Sequence, residues 1–211
     1  MTTHTPETRS PSNQEKLKPA PGLPEEVGKK RGVDFGPWDA SEIGDQRLDD
    51  LLEKSKHKDV KTQRIWLSRV SLSLPIGSEI DRRLSTSIVV DVPPRRGHYD
   101  SFSFVLIVFA APSSHGLWGE KQIKAMTDHF HAAGVSFAVG TSRWGDTVSA
   151  RSRDQDVYIV GCDGPRWCAR VTAYAPKLSG AATTVVRDVL ESLIVWRGED
   201  PLLAGSEMPI A

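Results

Sequence analysis

One long, mainly apolar run does most to limit what this chain can fold into. Residues 101–111 read SFSFVLIVFAA. In an extended strand this run is apolar on both faces: Phe102, Phe104, Leu106 and Val108 share one, and Val105, Ile107 and Phe109 share the other. Because the run is about half as long as a membrane-spanning helix requires, it predicts a buried strand. Such a strand lies at the centre of a sheet and needs cover on both sides.

Period-two alternation predicts further strands on either side of this run. Before it, apolar residues alternate with polar ones at Val70, Leu72 and Leu74 and again at Ile88, Val90 and Val92. After it, four segments read as strands: VSFAVGTSRW, TVSARS, DVYIVGC and WCARVTAYA. A short strand is also expected over residues 194–196.

Two segments change to helical period. In LWGEKQIKAMTDHFHAAG, Ile123, Met126 and Phe130 share a face and Gly134 stands where a helix C-terminus is expected. In SGAATTVVRDVLESL, Ser179 is a candidate N-cap for a helix that carries Val186, Val189, Leu190 and Leu193 on one face. The element order predicts an α+β domain in which an antiparallel β-sheet packs against two main helices.

Composition shifts divide the chain into four predicted regions. Residues 1–33 contain almost no large apolar side chains, which predicts a disordered N-terminal tail. Residues 34–64 form an N-terminal clip, in which Phe35 and Trp38 flank a Gly-Pro turn, followed by a charged connector. The α+β domain is expected over residues 65–200, and residues 201–211 are expected to be a C-terminal tail.

Charge and cysteine usage argue against several classes of function. Lysine plus arginine and aspartate plus glutamate both total 27, so the chain has zero formal net charge and no strong attraction for nucleic acid or an anionic membrane. The two cysteines and six histidines form no zinc or catalytic spacing, so neither a metal nor a cofactor is predicted. The first residues lack the apolar core of a secretion signal, which predicts a cytoplasmic protein with no membrane partner.

The most distinctive motif is DGPRW, which lies between two predicted strands. Asp-Gly-Pro predicts a hairpin turn, with Gly164 as the residue that tolerates positive φ. Two interpretations of Arg166 are open. It packs on an aromatic ring or pairs with a local carboxylate, or it anchors a carboxylate, a phosphate or an acidic residue of a partner protein. The candidate binding residues are Asp163, Arg166, Trp167, Trp118 and Trp38.

Two smaller features also allow alternatives. Cys162 and Cys168 flank the turn and are either buried thiols or a disulfide. The stretch SSHG, from Ser113 to residue Gly116, opens the first predicted helix. Its backbone N–H groups are a candidate binding site for a small anion. The alternative is an ordinary helix start that is capped by serine, with Leu117 and Trp118 packed into the core.

Four segments carry a family resemblance: GVDFGPWDA, LIVFAAPSSHGLW, CDGPRWCARV and VVRDVLESLIVWRGEDP, in this order over about residues 32–207. The set resembles an actinobacterial family known as domain of unknown function 3710, with its GPRW motif, AAP…GLW segment and closing WRG stretch. The family's DLG motif is absent here. The resemblance implies a cytosolic actinobacterial protein and no activity, cofactor or catalytic residue.

The element order is also similar to the PsbP-like fold, whose domains are mostly binding or assembly factors. The sequence therefore favours a non-enzymatic protein-interaction or assembly domain, with Arg166, Trp167 and either Trp118 or Trp38 as the contact surface. The alternative is a small-anion or metabolite-binding domain, or an enzyme, that uses Arg166 and the helix start at residues 113–116.

Overall fold

The computed structural model describes residues 36–43, 62–112 and 116–211. The predicted tail over residues 1–33, most of the charged connector and Ser113 lie outside these ranges. The spacing of Ile43, Leu48, Leu51 and Leu52 predicts a short amphipathic helix, and all of it except Ile43 also lies outside them. Within them, eleven strands and two α-helices form. The bounds of the strands are β1 Trp38–Asp39, β2 Thr62–Trp66, β3 Val70–Pro75, β4 Glu79–Asp81, β5 Ser87–Val92, β6 Phe102–Ala110, β7 Ser136–Ser142, β8 Gly145–Arg151, β9 Asp156–Gly164, β10 Trp167–Ala175 and β11 Ile194–Val195.

The helices occupy the two predicted segments. A π-helical segment, Leu117–Ile123, leads directly into α1, Lys124–Ala132, and a short 3₁₀ turn covers Ala40–Glu42. Helix α1 is followed by Gly134 with a φ of 65°, as the sequence predicts. Helix α2 spans Gly180–Glu191, and the Ser179 hydroxyl accepts a hydrogen bond from the Ala182 amide at 3.1 Å. The predicted N-cap is therefore confirmed.

The strands form two sheets rather than the single predicted sheet. Seven antiparallel strands follow the order β4-β5-β6-β10-β9-β8-β7. Four others follow the order β1-β11-β3-β2, in which only the β1–β11 pair is parallel. The apolar alternation of β3 identifies which face is buried but not which strand lies beside it. Its partner β11 follows more than 100 residues later, so the sequence pattern does not reveal the second sheet.

Both faces of the seven-stranded sheet are covered, which confirms the prediction for β6. One face of β6, with Phe104, Leu106 and Val108, shares a core with α2 and β3. The other face, with Phe109, packs with Trp118 and Ile123 of the π-helical segment. The structure is therefore a mixed α+β fold with one helix on each side of the large sheet.

The C-terminal segment, residues 201–211, has no periodic pattern but contributes to the core. Met208 and Ile210 are fully buried. The Met208 amide donates to the Val108 carbonyl at 2.7 Å, and the Ile210 amide donates to the Ser85 carbonyl at 2.8 Å. Isolated apolar residues in an extended segment give no periodic signal, so the sequence does not reveal this packing.

The helices of the described ranges are too short or too polar to cross a bilayer.

Candidate functional site

The DGPRW motif forms the turn between β9 and β10. Gly164 pairs with Trp167, which leaves Pro165 and Arg166 as a two-residue loop. Arg166 has a φ of 60° and is the only non-glycine residue with positive φ in the described ranges. A left-handed residue after proline is the arrangement of a type II turn, a position that usually takes glycine. The hairpin is confirmed, but the left-handed residue is Arg166, not Gly164 as the motif suggests.

Gly164 is required for a different reason. A Cβ at this position would collide with the indole of Trp167, which lies against the glycine. Trp167 is fully buried, and its indole N–H donates to Asp39 Oδ2 at 2.7 Å. Asp39 is only 5% exposed and also accepts from the Ser41 amide at 2.8 Å. The GPRW motif is thus joined to the GPWD segment, which lies 128 residues earlier in the chain.

The main-chain carbonyl of Arg166 joins two further segments. It accepts a hydrogen bond from the Ala111 amide at 2.9 Å and one from Arg197 Nε at 3.1 Å. Ala111 belongs to the AAP segment and Arg197 to the WRG segment. Arg197 is only 8% exposed, so its guanidinium is buried beside the turn and bound to the main chain of Arg166. All the segments that carry the family resemblance therefore meet at or beside this hairpin.

The Asp163 side chain binds the backbone amides at the helix start, which the sequence predicts as a candidate anion-binding site. Its carboxylate accepts from the Gly116 amide at 3.0 Å and from the Trp118 amide at 2.9 Å. Gly116, with a φ of 94°, is the residue that caps this segment, and Ser113 lies outside the described residues. The amides that could bind an external anion at Gly116 and Trp118 thus already hold a carboxylate of the chain itself.

Trp118 is also a structural residue. It is almost completely buried, and its indole N–H donates to the Asp146 carbonyl at 2.9 Å. Trp38 is half-buried in β1, where its amide donates to the Leu193 carbonyl at 2.9 Å. Of the five candidate binding residues, only Arg166 has an exposed side chain. No hydrogen bond or ion pair reaches its guanidinium from the described parts of the chain.

The sequence does not identify Asp39, Ala111 and Arg197 as partners of this hairpin. The order of the resembling segments is the signal that marks them, because each partner lies within one of those segments. Their contacts join residues far apart in the chain, so no local spacing shows them.

The two cysteines point to opposite faces of the sheet. Cys162 lies across from Ala169 and Cys168 across from Asp163, and cross-strand partners share a face. Both side chains are fully buried, and no disulfide joins them. Burial raises the pKa of the Cys168 thiol, which keeps it protonated and a poor nucleophile. The disulfide alternative is therefore excluded by the alternation of the strands.

No group of three or more histidine, cysteine, aspartate or glutamate side chains in the described ranges is arranged to hold a metal ion.

Comparison with known proteins identifies a family for this chain. The search of curated proteins gave no match. A family model described as "Protein of unknown function (DUF3710)" matches residues 36–211, a range that includes GPWD, AAP, GPRW and WRG. The chain therefore belongs to the DUF3710 family.

Proposed function

We propose that this protein is a non-enzymatic, cytoplasmic interaction domain that binds an acidic group of a partner protein through Arg166. The observation that carries the proposal is the left-handed, exposed Arg166 at the tip of the β9–β10 hairpin. A left-handed conformation costs a non-glycine residue about 1–2 kcal/mol. Glycine would form the same turn without that cost.

A strained residue that folding does not require is a reason to look for a function of its side chain. The fold uses the carbonyl of Arg166, which any residue would supply, while the guanidinium stays exposed. A guanidinium binds carboxylates with two parallel hydrogen bonds, and arginine is among the residues that dominate protein interfaces. The rigid turn fixes the position from which this side chain extends.

The small-anion alternative has less support from the geometry. It needs the amides at the start of the π-helical segment, and Asp163 already binds those of Gly116 and Trp118. The remaining candidate group for an anion is Arg166 itself, which is the group that the protein-binding proposal uses.

The test compares Arg166→Gly and Arg166→Lys with Arg153→Gly. The control removes an exposed arginine from the β8–β9 turn. Each full-length tagged protein is crosslinked in host lysate, and the affinity of the recovered partner is then measured by calorimetry. We expect Arg166→Gly to weaken binding roughly thirtyfold, since loss of an interface anchor costs about 2 kcal/mol. Arg166→Lys keeps the positive charge but cannot form two parallel hydrogen bonds with a carboxylate, so an intermediate affinity is expected.

Stability measurements separate a binding role from a folding role. Because glycine relieves the left-handed strain, Arg166→Gly should raise the free energy of unfolding by about 1 kcal/mol. Urea titration monitored by tryptophan fluorescence measures this change. If Arg166→Gly retains wild-type affinity, or loses the partner only because it unfolds more readily, Arg166 is part of the architecture and the proposal fails.

A further inference from the structure

One edge of the seven-stranded sheet lacks the features that usually protect such edges. Among the described strands, the edge strand β7, Ser136–Ser142, pairs only with β8. All seven of its residues are exposed or half-exposed, and the central Val139 is 52% exposed. Along its outer side, the backbone N–H and C=O groups are available for a further strand.

The opposite edge of the same sheet shows the usual protection. Strand β4 has only three residues, and two of them, Glu79 and Asp81, are carboxylates. In contrast, β7 has seven residues with the sequence SFAVGTS, which contains no charged residue and no proline. Its register with β8 runs without a bulge from Ser136–Arg151 to Ser142–Gly145. Short length, charge, proline and bulges are the devices that prevent edge pairing, and β7 has none of them.

We propose that β7 pairs antiparallel with β7 of a second copy of this chain, so that the two large sheets join across a twofold axis at Val139. A twofold interface uses the same surface on both subunits, so the strand must be complementary to itself. With Val139 opposite Val139 of the second copy, Ser136 faces Ser142, Phe137 faces Thr141, and Ala138 faces Gly140.

The self-complementarity of this register is the reason for proposing a second copy of the chain as the partner of β7. No charged side chain lies within the seven residues, so no like-charge pair forms across the axis. Aromatic Phe137 meets β-branched Thr141, a favourable cross-strand combination, and small Ala138 meets Gly140. The two Val139 side chains become neighbours on the face of the sheet that carries α1. There Phe137 contacts Phe130 of α1, with ring centroids 5.9 Å apart, so pairing extends an existing apolar cluster.

Crosslinking tests the register directly. The chain has two cysteines, and both are fully buried, so Val139→Cys introduces an exposed thiol with no competing one in the folded protein. Under mild oxidation we expect this full-length variant to form a disulfide-linked homodimer. Arg153→Cys, on the exposed β8–β9 turn beyond the end of β8 and so far from the proposed axis at Val139, is the matched control and should stay largely monomeric.

Sedimentation velocity tests the association without a new covalent bond. A strand-to-strand interface is small, so we expect the wild type to dimerise with a dissociation constant on the order of 10 μM. Val139→Lys places like charges opposite each other at the axis and should abolish the dimer over the same concentration range. Because Val139 is half-exposed, the variant should keep its fold, which circular dichroism checks.

Three outcomes would overturn the proposal: a wild type that stays monomeric to several hundred micromolar, a dimer that Val139→Lys leaves intact, or a Val139→Cys thiol that crosslinks only to a different host protein. Arg166→Gly should leave dimerisation unchanged, because the β9–β10 turn is separate from β7. The dimer and the Arg166 proposal can therefore fail independently.

Discussion

At the scale of single residues, Trp167 matters more for the fold than for the surface. The motif places an aromatic residue beside an arginine, which in sequence suggests a joint contact surface. In the structure the tryptophan is fully buried and bound to Asp39, while the arginine side chain is exposed. The hairpin was predictable from Asp-Gly-Pro, but the conformation of Arg166 was not, because arginine has no preference for positive φ.

We expect Trp167→Phe to lower the free energy of unfolding by about 1–3 kcal/mol. The variant keeps an aromatic ring but removes the indole donor, which leaves the buried Asp39 carboxylate short of one hydrogen bond. Urea titration monitored by circular dichroism gives the loss. Trp66→Phe is the control, since Trp66 is 50% exposed, and it should change stability by less than about 0.5 kcal/mol. Equal losses in both variants would contradict the role of the Asp39 hydrogen bond.

At the scale of secondary-structure elements, a glycine determines how closely the π-helical segment approaches the sheet. The indole of Trp118 lies over Gly161 of β9, where a Cβ would be 2.5 Å from the ring and would also collide with the Ala169 carbonyl. The long strands and both helices were predictable because their apolar residues recur with a clear period. Strands β1, β2 and β4 were not, because two to five residues carry too little periodic signal.

Gly161→Ala should therefore destabilise the protein by about 1–3 kcal/mol, the usual cost of overpacking a core. Gly180→Ala is the matched control, because it adds the same methyl group at the start of α2, where nothing lies within 4 Å. Alanine is a better helix former than glycine, so the control should be neutral or stabilising by up to about 1 kcal/mol. Thermal unfolding of both variants measures the difference. If the two changes prove equally harmless, the Trp118 contact is looser than the structure indicates.

At the scale of the whole molecule, the ion-paired carboxylate of Asp156 links the large sheet to the segment that leads into α2. The Asp156 carboxylate accepts two hydrogen bonds from Arg151, at 2.6 and 2.8 Å, and one from the Leu178 amide at 3.1 Å. These hydrogen bonds, led by those from Arg151, lower the pKa of Asp156 from 3.8 to about 2. The folded state therefore gains stability from the ionised carboxylate.

The pH dependence of unfolding checks this effect. Because the pKa of Asp156 is lower in the folded state, its contribution is complete above about pH 4 and is lost as the pH falls towards 2. Asp156→Asn should reduce the steepness of the acid loss of stability between pH 4 and pH 2, measured by urea midpoints at each pH. Asp154→Asn removes an exposed carboxyl from the neighbouring turn and serves as the control for the change in charge. A wild-type slope in Asp156→Asn would contradict the assignment.

The positions of the thiols give a second prediction at this scale. Cys162 and Cys168 are fully buried on opposite faces of the sheet. Both should react with a thiol reagent such as Ellman's reagent only as fast as the sheet opens, and oxidation of the folded protein should leave both reduced. Counting reacted thiols over time in native buffer and in urea tests this. Rapid reaction of one thiol in native buffer would show that its side of the core opens independently.

The contacts that meet at the β9–β10 turn also constrain how the chain folds during its synthesis. Asp39 leaves the ribosome 128 residues before the tryptophan that it binds. At a translation rate of about 5–20 residues per second, that interval lasts roughly 6 to 26 seconds. The Arg166 carbonyl gains its Arg197 partner only after 31 further residues have been synthesised. Until those residues have been synthesised, the GPWD segment and the apolar faces of the first strands lack their final partners, so we expect these surfaces to stay exposed to aggregation until the WRG segment has been added.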